Sequence, residues 1–194
     1  MSNQMWDEKY QGKELVWSAD PNQFLPLAVT DLPVGKSLDL ACGEGRNAIW
    51  LASQGWDSTA VDFSDVGLKK GQAIAENEGL TVNWVLSDVL TYHPDERFDL
   101  IIIFYVHLPS DQLDVIFKTS RELLTPGGKI VGVGHALRNL TDGVGGPQHP
   151  SILWEVSSMQ DRLDGLDAVV VDERTRETEA GTAVDVYLEA TAPR

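Results

Sequence analysis

Short β-rich runs alternate with helical patterns along this chain, and a glycine cluster sits at the first strand-to-helix turn. Two strands with no helix between them close the sequence. These observations predict a mostly parallel, doubly wound α/β sheet with one reversed strand. The 194 residues suit one such domain, spanning 1–194, because a domain takes roughly 150 residues. No repeat, low-complexity tract or linker marks a second.

The elements follow in order. Residues 37–41 make the first strand, which enters Gly43-Glu44-Gly45. A helix follows over 46–54, with Gly55 where a left-handed residue ends it. Residues 58–62 form the second strand. Ser64 caps a helix that reaches Asn77 and stops at Gly79. Residues 82–86 form the third strand, and 99–104, apolar on both faces, read as a buried central strand. Ser110 or Asp111 opens a helix with Leu113, Ile116, Phe117 and Leu124 at helical spacing. Thr125-Pro126-Gly127-Gly128 breaks it ahead of a fifth strand over 129–134. A glycine-rich loop, 141–150, leads to a helix over 151–163. Strands at 168–172 and 183–190 close the chain, making five βα units and an antiparallel hairpin. In the last strand Val184, Val186, Leu188 and Ala190 share one face, with Asp185, Tyr187 and Glu189 on the other.

Composition removes several functions. Fifteen Lys and Arg against 30 Asp and Glu give a net charge of −15, which repels nucleic acid and anionic membranes. Cys42 is the single cysteine, so neither an intrachain disulfide nor a Cys-rich zinc site is possible. His93, His107, His135 and His149 lie far apart, and no metal site is expected. The opening MSNQMWDEKY is polar, and the longest strongly apolar run, residues 100–106, falls short of the roughly 20 needed to span a bilayer. A cytoplasmic, soluble protein is expected.

The stretch around the glycine cluster carries the chemistry. Glycine is needed where a strand turns sharply into a helix and a ligand approaches the backbone. Free N–H groups at the helix start can hold a carboxylate or phosphate. Asp62, at the tip of the second strand, can accept hydrogen bonds from both ribose hydroxyls, and Asp88 from an adenine amino group. Gly43-Glu44-Gly45-Arg46-Asn47-Ala48 also fits G-x-G-x-x-A, so an NAD-dependent oxidoreductase is a rival. Asp39, inside the strand, argues against it: a carboxylate there opposes a pyrophosphate but favours an ammonium. S-adenosylmethionine, with its ammonium and sulfonium, suits this acid-lined cleft. Gly35-Lys36-Ser37 is a turn and no P-loop, since it precedes a strand rather than a helix.

This stretch resembles motifs I and II of the class I S-adenosylmethionine-dependent methyltransferases, and the whole chain fits that family's pattern. GEGRNAIWLA and WDEKY are similar to the tellurite-resistance branch, which is close to the thiopurine methyltransferases. The resemblance implies a Rossmann-like sheet of seven strands in the order 3-2-1-4-5-7-6, with strand 7 antiparallel. It also implies that Asp39 and the Gly43–Gly45 loop hold the methionine part of the cofactor, with Ala41, Cys42, Arg46 and Asn47 among the cofactor-binding residues. Asp62, with Phe63 and Ser64, then takes the ribose. Ser87, Asp88 and Val89 lie near adenine.

Several of these residues have a plainer reading. Asn47 can satisfy buried backbone groups, Asp88 can form a turn, and Cys42 can be a small packing residue. Trp6, Tyr10 and Trp17 either cover the sulfonium by cation–π contact, as a lid formed by residues 1–20, or pack a docked helix. Tyr105 and His107 follow the fourth strand, on the edge of the sheet where such folds bind ligands. They are the candidate catalytic pair, with Tyr105 also near the cofactor and His107 the first candidate base for an amine or hydroxyl acceptor. A hydrogen-bonded structural histidine is the other reading of His107, and His135 is a similar case. The 141–150 loop, with His149, either closes over a substrate, near the substrate side, or is an ordinary mobile loop. The expected reaction is in-line transfer of a methyl group to a small molecule, for which collinear positioning is the main requirement. A noncatalytic S-adenosylmethionine-binding module is the remaining alternative.

Overall fold

The computed structural model describes residues 3–12, 15–16 and 18–194. Its strands are β1 (Lys36–Leu40), β2 (Asp57–Asp62), β3 (Asn83–Leu86), β4 (Phe98–Phe104), β5 (Leu124–His135), β6 (Asp167–Thr178) and β7 (Gly181–Thr191). They form one sheet in the order β3-β2-β1-β4-β5-β7-β6, as the resemblance implies. β1 pairs parallel with β2, and β2 with β3. β7 runs antiparallel to both β5 and β6. The chain divides into two compact units, residues 1–102 and 103–194. Among the described residues no helix is long and apolar enough to cross a membrane.

In the first unit, α1 (Asn3–Tyr10) and α2 (Leu25–Val29) precede β1. α3 (Arg46–Ser53) and α4 (Asp65–Asn77) follow β1 and β2. Ser64, in extended backbone, caps α4 by accepting from the Gly67 N–H at 3.1 Å, which is why the helix starts there. Gly55 and Gly79 end their helices with φ of +92° and +68°, a conformation that costs other residues about 1–2 kcal/mol. Ala48, Ile49, Ala60, Ala75 and Val82 form a buried cluster that Trp84 packs against. No helix lies between β3 and β4, so the expected fifth βα unit is absent. Asp88 and Thr91 form a turn there instead.

In the second unit, α5 (Ser110–Leu123) buries Leu113, Ile116 and Phe117 as its periodicity predicts. Three expected boundaries there are corrected. β5 begins at Leu124, and the Thr-Pro-Gly-Gly run lies within it. The backbone of Gly127 and Gly128 pairs with Ala192 at 3.1 and 2.8 Å, so these glycines extend the ladder.

The helix expected over 151–163 is a 3₁₀ turn (Pro150–Ile152) followed by α7 (Val156–Arg162). Trp154 interrupts it: fully buried, it packs over Gly134 and donates from Nε1 to the Val106 carbonyl at 3.1 Å. Fully burying a side chain of this size outweighs one turn of helix.

The closing strands are longer than expected. The polar residues 173–178 remain in β6 because that strand is the sheet edge, where charged side chains reach solvent. β7 lies inside the sheet, so its two faces do not divide into apolar and polar. Asp185 and Tyr187 are buried along with Val184 and Val186.

Candidate functional site

In the first unit the predicted residues gather around the turn from β1 to α3. Ala41, Gly43 and Gly45 all have left-handed backbone, with φ of +58°, +59° and +74°, which makes the sharp turn. Asp62 holds the turn closed. Its Oδ2 accepts from the Gly43 N–H and its Oδ1 from the Ser64 N–H, both at 2.8 Å. Each carboxylate oxygen keeps a second lone pair, so the same group can also accept from a diol. Burial pushes the Asp62 carboxyl up, against the bonds from Ser64, Gly43 and Phe63.

Asp39 differs from Asp62. It is buried, the Ala48 N–H donates to it, and its Oδ2 meets no hydrogen-bond donor among the described residues. Burial raises its pKa to about 8, with the Asp62 charge adding to the rise and Arg46 opposing it. A buried carboxylate oxygen without a donor costs about 1–3 kcal/mol or more, and a cationic ligand would offset that. A pyrophosphate would not.

Other residues in and around the turn make contacts within the protein. Gly45 packs against the ring of Trp84, where an added Cβ would lie 2.4 Å from Cη2. Gly67 on α4 approaches the Gly43 carbonyl in the same way. Asn47 accepts from the Asn22 N–H at 2.8 Å, so it satisfies buried backbone. The Arg46 guanidinium donates to Ser18. The Cys42 thiol is pushed well above its ordinary range by burial and by Asp39 and Asp62. Asp88 is exposed and accepts from the Leu90 N–H at 2.9 Å, as a turn former does. Ser87 continues the β2–β3 edge by donating its N–H to the Asp62 carbonyl, and Val89 is buried.

α1 docks on α4. Tyr10 is buried and stacks on Trp6 with ring centroids 5.6 Å apart, and Lys9 sits 4.4 Å above the Trp6 ring. The Asp7 carboxylate accepts from Ser64 Oγ, and Lys70 Nζ donates to the carbonyls of Tyr10 and Gly12. Trp17 lies outside the described residues.

The second unit assembles a different cluster at the carboxyl ends of β4 and β5. Tyr105, with φ of +56°, donates from its hydroxyl to Asp185 Oδ2 at 2.9 Å. Positive φ in an aromatic residue stores strain, a feature concentrated at functional positions. Arg176 Nε donates to the same oxygen at 2.9 Å, and His135 Nδ1 lies 3.0 Å from Oδ1. Asp185 is fully buried. Burial alone would raise its pKa, but the bonds from His135 and Arg176 hold the carboxyl below its ordinary range.

His107 does not fit the role of base. Its Nε2 accepts from the His135 N–H at 3.0 Å, and the ring also bonds the Tyr105 backbone. Burial and the neighbouring His135 push its pKa down to about 4. It stacks on His135 with centroids 5.3 Å apart. The sequence reading treated His135 as a similar case to His107 and gave Arg176 and Asp185 no functional role. The available signal was a charge on a strand that the family's sheet order makes internal.

Comparison with known proteins agrees with this fold and loop. A family model described as a methyltransferase domain matches residues 38–128. Thiocyanate methyltransferase 1 of Arabidopsis thaliana is 28% identical over 179 residues, covering 87% of this chain and 75% of that protein. The probable S-adenosyl-L-methionine-dependent methyltransferase TehB of Haemophilus influenzae is 30% identical over 95 residues, 48% of this chain and a third of TehB's length.

The crystal structure of TehB from H. influenzae superposes with a TM-score of 0.75 at 21% identity, covering 98% of this chain and 66% of that one. The N-methyltransferase NodS from Bradyrhizobium japonicum, solved with S-adenosyl-L-homocysteine, gives 0.78 at 16% identity, covering 99% and 98%. At these identities the solved structures speak for the fold alone. The chain thus matches a methyltransferase domain over residues 38–128, is similar in sequence to proteins named as methyltransferases, and shares its fold with the solved structures.

Proposed function

We propose that the chain moves the methyl group of S-adenosylmethionine to a small-molecule acceptor, with the first unit holding the cofactor. One observation carries the cofactor part of this reading: the buried Asp39 oxygen beside the glycine turn that has no donor among the described residues. When bound, the cofactor supplies an activated methyl group. The protein's own contribution is to hold and to exclude water. Asp39 receives the amino-acid ammonium, the left-handed Ala41–Gly45 turn lets the ligand approach the backbone, and Asp62 accepts from the ribose with its second lone pairs. Ser87, Asp88 and Val89 border the adenine. Trp6 and Tyr10, on the docked α1, belong to a covering segment over residues 1–20.

A small acceptor is supported by the net charge of −15, which disfavours polyanionic substrates, and by the relative named for thiocyanate. Calorimetric titration with S-adenosylmethionine, S-adenosylhomocysteine, NAD and NADP tests the reading. Binding of the first two and neither of the others is expected. Tight NAD binding would overturn it. Isotope-labelled methyl donor offered to a panel of small nucleophiles separates an enzyme from a noncatalytic binding module.

A further inference from the structure

We propose that Glu44 and Lys70 are positioning residues for the cofactor: as an ionic latch they tie α1 and Val16 to the glycine turn and set how fast the bound ligand leaves. The proposal rests on the reading above that residues 1–20 cover the cofactor, and it names what holds that cover down.

Glu44 stands between Gly43 and Gly45, whose left-handed backbone makes the turn. α4 supports the turn from the other side. An added Cβ on Gly67 would lie 2.9 Å from the Gly43 carbonyl oxygen, and one on Gly71 would lie 2.6 Å from the Glu44 carbonyl oxygen. Two glycines four residues apart share one face of a helix, so they bring α4 directly against the turn. Lys70, next to Gly71, reaches the Glu44 carboxylate from there. Its Nζ lies 2.6 Å from Oε1 as an ion pair, and the Glu44 side chain is only 3% exposed.

Both members of the pair also hold chain that precedes β1. Glu44 Oε2 accepts from the Val16 N–H at 2.9 Å. Lys70 Nζ donates to the Tyr10 and Gly12 carbonyls at 3.2 and 3.1 Å. The Lys9 ammonium of α1 lies within the field of the same carboxylate. One carboxylate and one ammonium thus join Tyr10, Gly12 and Val16 to the centre of the turn.

α1 has eight residues, too few for a helix to persist without tertiary contacts. Its attachment therefore depends on groups such as these. A carboxylate as buried as Glu44 is costly once its counter-ion is removed. Loss of the Lys70 charge favours states in which Val16 and α1 lift and water reaches Glu44. The turn itself stays in place, because Asp62 and α4 hold its backbone. The latch governs the cover and leaves the cradle intact. Weakening it speeds escape of an enclosed ligand far more than it alters entry.

The test follows S-adenosylhomocysteine on the immobilised full chain by surface plasmon resonance. Lys70→Met and Glu44→Gln are each expected to raise the dissociation rate about tenfold, with association within about threefold of the parent. Lys70→Arg keeps the charge and is expected to dissociate within about threefold of the parent. The Lys70→Met/Glu44→Gln double variant is expected to match the single ones, because all three lose one shared interaction. Amide hydrogen exchange separates a latch from a general loss of stability. In both single variants the Val16 N–H should exchange about tenfold faster, with Leu38 and Leu40 of β1 within about threefold of the parent. In the parent, saturating S-adenosylhomocysteine should slow exchange at Val16.

Unchanged dissociation in both single variants would overturn the proposal. So would equal losses in Lys70→Arg and Lys70→Met, multiplied losses in the double variant, or exchange that rises equally at Val16 and in β1. A Val16 N–H that the ligand leaves unprotected in the parent overturns it without any variant. A parent that fails to bind S-adenosylhomocysteine would sink the underlying cofactor reading instead.

Discussion

The turn after β1 and the cluster at the end of β5 both centre on a buried carboxylate, but they satisfy it in opposite ways. Asp62 is held by backbone N–H groups of residues 43 and 64, at the ends of the two strands that flank α3. Asp185 is held at Oδ2 by the side chains of Tyr105 and Arg176, with His135 Nδ1 3.0 Å from Oδ1, each from a different strand or strand end. Backbone donors are fixed once the turn forms, so the first arrangement survives many side-chain changes. Side-chain donors must each be ordered at an entropic cost, and they depend on one another. The first region is therefore a stable cradle. The second is a cooperative network whose members fall together.

Removing Asp185 tests that difference most severely. Asp185→Ala leaves Tyr105, Arg176 and His135 without their common acceptor, and breaking such a buried network costs roughly 3–5 kcal/mol. Urea denaturation should show the midpoint falling accordingly. A loss below about 1 kcal/mol would mean that the cluster behaves like a surface ion pair.

Gly45→Ala probes the rigidity of the cradle. It combines a left-handed backbone penalty of about 1–2 kcal/mol with overlap on Trp84, worth about 1–3 kcal/mol. Gly79→Ala, at φ of +68° with open space around it, should cost only the backbone part. Equal losses in the two variants would show that Trp84 moves aside freely.

Asp62→Ala should weaken S-adenosylhomocysteine binding by about 10- to 100-fold, the loss of a charge-assisted contact of roughly 1.5–3 kcal/mol. The two backbone donors it now satisfies make a loss of stability part of the same prediction. Unchanged affinity in a folded variant would assign Asp62 to turn geometry alone.

The gentlest probe is pH. Asp39 has a folded-state pKa of about 8 against an ordinary 3.8, so between those values the folded protein holds a proton that the unfolded chain has lost. This group's contribution therefore weakens as pH rises from 4 towards 8. Asp39→Asn should flatten that part of the stability profile and also weaken the cofactor. In the parent, an ammonium ligand should displace the Asp39 proton, so calorimetric enthalpies at pH 7 should vary with buffer ionisation heat. The absence of any buffer dependence would place the ammonium elsewhere.

The same contrast explains what could be read from the chain. Asp39, Gly43, Gly45 and Asp62 lie within 24 residues, and their roles follow from one strand–turn–helix unit. Ser64 as a cap and Gly55 and Gly79 as helix stops are equally local, since propensity and left-handed backbone decide them within a turn. The β6–β7 hairpin was legible in kind but not in length, because the polar residues 173–178 resemble a loop until an edge position makes them a strand.

By itself, then, the sequence determined the doubly wound sheet, its reversed last strand and the acid-lined glycine turn, all products of short-range pattern and stereochemistry. The tertiary structure alone decided that Trp154 leaves its helix for the core, and that Asp185 is internal rather than solvated. It alone also decided that His107 Nε2 accepts a backbone N–H. Those outcomes depend on which strands become neighbours, and residues 105, 135 and 185 carry no local signal of one another until the sheet is assembled.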